Sequence, residues 1–182
     1  MLSADNAEYA QTAIFSLLLP SAAISYMYYR GNAGNLLETI GLSRKQLSWY
    51  HIGLGILIFL MLLLLEAGVT VIVQVTNIQI SSNVGAIFGS APLWLLIFSF
   101  TLGPLNEEIF FRAFLVPRIG IILSALIFAL LHASYDSTFG IEIIAALIFG
   151  LLSGWIYKKT GSLYPSLLAH VLVNALTIAA LL

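Results

Sequence analysis

Between Lys45 and Glu107 the chain carries one charged side chain, Glu66. No soluble domain keeps so long a stretch free of surface charge, because about a quarter of the residues in such domains are charged. Apolar runs of roughly 20 residues instead match the hydrocarbon thickness of a bilayer when wound as helices. Six such runs can be drawn, at about 10–29, 46–73, 91–115, 118–134, 141–157 and 163–182. The expected fold is therefore an all-α polytopic bundle of about six transmembrane helices. Composition agrees, with 60% hydrophobic and 8% charged residues in 182. Asp5 and Glu8 stand where a signal peptide would carry basic residues, so the first run reads as a spanning helix.

The seven basic residues fix an orientation. Arg30, Arg44 and Lys45 follow the first span, Arg112 and Arg118 end the third, and Lys158 and Lys159 end the fifth. Asp5, Glu8, Asp136 and Glu142 fall at the opposite face. By the positive-inside bias the basic face is cytoplasmic and both termini lie outside. Tyr28, Tyr29, Trp49, Tyr50, Trp155 and Tyr157 flank the same face as interfacial anchors. The segment at about 30–48, with Leu36, Leu37, Ile40 and Leu47 among polar residues, is expected to lie in the interface as a helix. Ser43 and Gln46 have capping-box spacing at the expected start of the second span.

Ionisable groups inside a bilayer cost about 2.5–3.5 kcal/mol each on insertion scales, so they default to functional candidates. Here they are Glu66, Glu107, Glu108, Arg112, His132 and His170, joined by Asn174. Glu66 is expected to cap the outer end of its helix in water. On a helix Glu108 and Arg112 are four apart and can pair, leaving Glu107 to point elsewhere. Gly103 and Pro104 just upstream predict a kink that admits water. Ser166, His170, Asn174 and Thr177 form a polar stripe on the last helix, where Ser166 and Thr177 read as interhelical glue. A lone membrane histidine such as His132 is more often a packing residue than a catalyst. Depth argues for reading it with the others, since Glu107, His132, His170 and Asn174 fall roughly 10–21 Å from the cytoplasmic face at the rise of a helix.

A carboxylate, imidazoles and an amide are equipment for hydrolysing a peptide bond. Glu107 can serve as general base, His132 can hold the water, and His170 with Asn174 can stabilise an oxyanion. Alternatively Glu107, His132 and His170 can bind zinc or another divalent metal that activates the water. Other protease plans fail: there is no cysteine, no H-E-x-x-H, and no aspartate pair within the spans. Ser153 in "GLLSG" lacks the spacing of a serine nucleophile, and Gly150 with Gly154 reads as a close helix contact.

Three motifs now stand in order: Glu107, Glu108 and Arg112 as E-E-x-x-x-R; Phe128 and His132 as F-x-x-x-H; His170 and Asn174 as H-x-x-x-N. Together they resemble the CPBP (Abi) family of intramembrane proteases, relatives of the type II CAAX prenyl protease. The likeness covers about residues 91–182. It implies a catalytic four-helix core there, behind a two-helix region at 1–90, and an endopeptidase cutting near the cytoplasmic face. By resemblance Glu107 is the base, His132 positions water, and His170 with Asn174 form the oxyanion site. Glu108, Arg112 and Phe128 support them, and metal dependence stays open. Ala113 replaces the glycine that often follows the family's arginine, and only two helices precede the motifs. The expected partners are membrane lipids and a peptide or membrane-protein substrate, prenylated or a leader peptide, and no nucleic acid. The competing readings are a non-catalytic binding or immunity protein of the same fold and a proton-coupled transporter. The transporter reading calls for repeated halves, and the sequence has none.

Overall fold

The computed structural model describes residues 4–30, 35–77, 84–89, 91–135 and 140–180. Asp136 lies outside the described residues, as do the side chains of Asp5 and Glu8. Every regular element among the described residues is helical: α1 (Ala4–Arg30), α2 (Leu36–Ile40), α3 (Trp49–Thr76), α4 (Val84–Phe88), α5 (Leu93–Phe100), α6 (Leu102–Glu108), a π-helical segment (Ile109–Leu115), α7 (Val116–Leu131), α8 (Ile141–Thr160) and α9 (Tyr164–Ala179). Trp49–Thr76, Leu93–Leu131 and Ile141–Thr160 are long and apolar enough to cross a membrane, and Tyr164–Ala179 is a shorter apolar helix. Large side chains such as Leu64, Val75, Ile122 and Leu130 are exposed on the outside of the bundle. Such a surface suits lipid and not water.

The stretch from Leu93 to Leu131 is not one rod. Gly120 has φ 84° and ψ 171°, a conformation open essentially to glycine, and there the chain reverses. A straight helix would hold Phe111 and Phe128 roughly 25 Å apart, yet their rings meet at 5.0 Å. Ser124 also donates to the Phe111 carbonyl at 2.8 Å across the hairpin. The sequence placed this break at 115–118; the structure moves it to Gly120, because only glycine reaches that backbone geometry.

Small residues bring α7 and α8 together. A Cβ on Gly150 would stand 3.0 Å from the Ala125 backbone, and one on Gly154 would stand 3.1 Å from Ile121. The four-residue spacing on both helices makes one seam, as expected for Gly150 and Gly154. Gly150→Val is therefore expected to push the two helices apart and lower the melting temperature in detergent by several degrees.

The expected interfacial helix is a short one, α2, capped by Asn35 and closed by Gly41 in the left-handed region. The box of Ser43 and Gln46 is present, but it opens a 3-10 turn (Arg44–Gln46) and not the membrane helix. Leu47 and Ser48 then run extended, and the Ser48 hydroxyl accepts from His51 N–H to start α3. The box falls short of α3 because its residues are committed elsewhere. Gln46 donates to Gly161 O at 2.9 Å, and Ser162 donates to Gln46 O at 2.9 Å. Tyr164 donates to Leu42 O, and Leu163 N–H donates to Gly41 O, both at 2.9 Å. This lattice fixes the start of α9. A Cβ on Gly41 would lie 2.6 Å from Gly161 O, at a φ of +85°. We expect Gly41→Ala to cost about 1–3 kcal/mol, measurable as a lowered denaturation midpoint.

Candidate active site

The arm of the hairpin before Gly120 carries the acidic motif through two helix irregularities. Thr101, with φ −119° and ψ −82°, ends α5 and precedes α6. Pro104 falls in the first turn of α6, where a missing N–H costs nothing. The predicted kink thus lies at Thr101, slightly earlier than Gly103 and Pro104. After Glu108 the helix widens into the π segment, where Val116 N–H reaches back to Phe111 O. Pro117 has no N–H to close the next turn, and π-type turns of this kind gather at functional sites.

Glu108 and Arg112 are buried in the bundle, with Nε 3.2 Å from Oε2 and side-chain exposures of 0% and 1%. The Arg112 Nε–H points to Ser153 Oγ at 2.8 Å, so its contact with Glu108 is ionic. Ser153 passes its own hydrogen to Phe149 O at 2.6 Å, which makes it a structural anchor. The guanidinium lies 4.4 Å from the Phe128 ring centroid and 4.9 Å from that of Phe149. Arg112 is thus held by one carboxylate, one hydroxyl and two aromatic faces.

The other Glu108 oxygen takes a partner that sequence reasoning missed. Oε1 accepts from His170 Nδ1 at 3.0 Å. The buried carboxylate thereby joins Arg112 to α9. His170 was expected to face Glu107; its Nε2 does lie 3.8 Å from Glu107 Oε2, but that is a contact without a hydrogen bond. The residues are 62 positions apart, and no local spacing announces the Glu108 bond.

His132 ends α7. Its Nδ1 bonds the Phe128 carbonyl at 2.9 Å, so the neutral ring keeps its lone pair on Nε2. Phe128 packs against His132 at 4.4 Å and against His170 at 6.0 Å between centroids. One buried phenyl ring therefore spaces both imidazoles and the arginine. Asn174 lies one turn beyond His170, and its amide donates to Ser99 O at 2.8 Å. The break at Thr101 deprives that carbonyl of its helical donor, and Asn174 supplies one.

Glu107 and His132 share a cavity of about 140 Å³, lined also by Ser16, Leu19, Pro20, Asn106, Phe110, Phe111 and Leu131. That volume holds several waters. Three of the lining residues come from α1, a helix the sequence left outside the site. Only its apolar periodicity was legible, and that gives no hint of which neighbour it meets. Glu107 Oε2 is buried without a hydrogen-bond partner among the described residues, although its side chain as a whole is 34% exposed. Glu66 is exposed on α3, away from this cluster.

The sequence offered Glu107, His132 and His170 as ligands of a divalent metal. No group of three such side chains among the described residues is arranged to hold a metal ion. His170 Nδ1 is held by Glu108, and its Nε2 faces Glu107 Oε2 at 3.8 Å.

Fold and site define a membrane-embedded helical protein with a carboxylate–histidine cluster in its bundle. Residues 89–176 match the family model for type II CAAX prenyl endopeptidase Rce1-like proteins, a protease family. The chain is also 26% identical over 161 residues to the uncharacterized protein YpbD of Bacillus subtilis (strain 168), covering 87% of this chain and 82% of YpbD. No solved structure matches it significantly.

Proposed function

We propose that this protein is an intramembrane endopeptidase in which Glu107 activates water for attack on a peptide bond. The observation that carries the reading is the shared cavity of Glu107 and His132, with His170 at 3.8 Å from the carboxylate. Glu107 takes a proton from water as the hydroxyl oxygen bonds to the carbonyl carbon. His132 orients that water through Nε2. His170, anchored by Glu108, donates to the developing oxyanion from Nε2 when its ring carries both protons. Collapse breaks the C–N bond, and the proton held by Glu107 passes to the leaving amine. Asn174 keeps α9 in register with α5, and Phe128 spaces the rings.

In this reading residues 91–182 are the catalytic core and 1–90 support it. Six spans put both termini outside, and the cavity opens toward the cytoplasmic half. The substrate is a peptide or membrane protein, prenylated or a leader peptide. Profiling of peptide termini in membranes bearing wild type or Glu107→Gln tests the assignment. Termini found only with the wild type are expected; identical profiles from both would remove it.

A further inference from the structure

Arg30 closes α1, Arg118 stands just before the reversal at Gly120, and Lys158 and Lys159 lie in the last turn of α8. Met27, Ile40, Val116, Tyr157 and Leu163 pack in one cluster, which gathers these helix ends at one end of the bundle. Two of the cations there converge on one ring. The Arg118 guanidinium lies 5.1 Å from the Tyr26 ring centroid, and that of Arg30 lies 6.0 Å from it. Arg118 is held in place, because it donates to Phe114 O at 2.6 Å and sits 4.1 Å from the Phe114 ring centroid. Phe114 in turn meets Tyr26 edge to face at 5.7 Å.

No carboxylate lies within ion-pair distance of either arginine among the described residues. Glu38 of α2 is taken by Lys45 at 3.1 Å. Both arginines are exposed, and so is Tyr26, at 45%. A guanidinium anchored by an aromatic face keeps its N–H edge available, and that planar fork matches the oxygens of a phosphate. Two such cations around one ring repel each other until an anion lies between them. Along α1 the side that carries Tyr26 continues as Ala22 and Leu19, one and two turns away and both exposed. That apolar strip suits acyl chains, and a free phosphate has no use for it.

We propose that Arg30 and Arg118, spaced by Tyr26, bind the phosphate of an anionic membrane phospholipid where α1 meets the Gly120 hairpin. Basic pockets between membrane helices take headgroups in this way. None of the three residues lines the cavity of Glu107 and His132, so the site stands apart from the protease reading. A lipid there ties α1 to the hairpin, and α1 supplies Ser16, Leu19 and Pro20 to the cavity wall.

The test is native mass spectrometry of the full-length protein in detergent, titrated with phosphatidylglycerol or phosphatidylcholine in salt strong enough to screen distant charges. The wild type is expected to retain one phosphatidylglycerol at least about tenfold more tightly than phosphatidylcholine, the effect of a charge-assisted hydrogen bond. Arg118→Gln and Arg30→Gln are each expected to remove most of that preference. Arg30 makes no hydrogen bond that holds the fold, so its variant should melt with the wild type. Lys158→Gln combined with Lys159→Gln removes two charges from the same end and should leave the preference intact. An equal loss in the lysine variant would show diffuse attraction to the basic end and overturn the proposal. Equal retention of both lipids by the wild type would overturn it too. Inorganic phosphate is expected not to displace the lipid, and displacement at millimolar phosphate would overturn the lipid as the occupant.

Discussion

Glu107→Gln is expected to leave a folded, membrane-inserted protein whose peptide cleavage has fallen by at least about 10²–10⁴-fold, the contribution of a well-placed general base. Glutamine keeps the length and planarity of the side chain, so the cavity with His132, Phe110 and Asn106 retains its shape. What disappears is the ability to hold water's proton. Stability changes little, because Oε2 of Glu107 makes no hydrogen bond among the described residues that the amide would lose. The check is a single-turnover assay in proteoliposomes beside a melting curve in detergent. Cleavage within threefold of wild type would mean that another group activates the water.

Glu108→Gln has the largest expected effect on folding. Glu108 is paired with the buried Arg112, and it also holds His170 through Oε1. Removing its charge leaves a guanidinium in the bundle with aromatic faces and Ser153 as its remaining neighbours. Breaking a buried pair by removing one partner costs about 3–5 kcal/mol, more than most substitutions. The melting temperature should drop by many degrees. Glu108→Gln combined with Arg112→Met should recover part of that loss, since no buried charge is then left unpaired. A single variant that melts like the wild type would contradict the ionic role of the pair. Cleavage should fall in both variants, because His170 is released from its anchor in each.

These two neighbours differ by environment and not by chemistry. Both are glutamates on one turn of helix, yet Glu108 points into the bundle and Glu107 to a cavity wall. The pairing of Glu108 with Arg112 was legible because i,i+4 neighbours meet on any helix. The hairpin at Gly120 was partly legible, since the charge near Arg118 marks a membrane edge. The seam of Gly150 and Gly154 was legible from spacing alone. The box of Ser43 and Gln46 was correctly seen, but its place was not. Its partners Gly161 and Ser162 lie more than a hundred residues away in sequence.

The remaining features of the site had no local signal. Arg112 finds Ser153 across 41 residues, His170 finds Glu108 across 62, and Asn174 finds Ser99 across 75. Each joins polar groups on different helices, and polar groups in an apolar bundle accept whichever partner the packing delivers. The wall that α1 adds to the cavity belongs to the same kind. An apolar helix binds its neighbours through shape, and shape is not written in periodicity.

By itself the sequence determined that this chain enters a membrane as helices, and it named the few polar residues expected to carry the chemistry. It could do so because the cost of charge in lipid and the period of the helix act on neighbouring residues. Only the tertiary structure decided which carboxylate anchors His170 and which faces the cavity. It also decided that the Asn174 amide is spent on Ser99 O, while Asn106 Nδ2 is buried with no hydrogen-bond partner among the described residues. Those outcomes depend on how whole helices rotate and break against one another, which no single segment specifies.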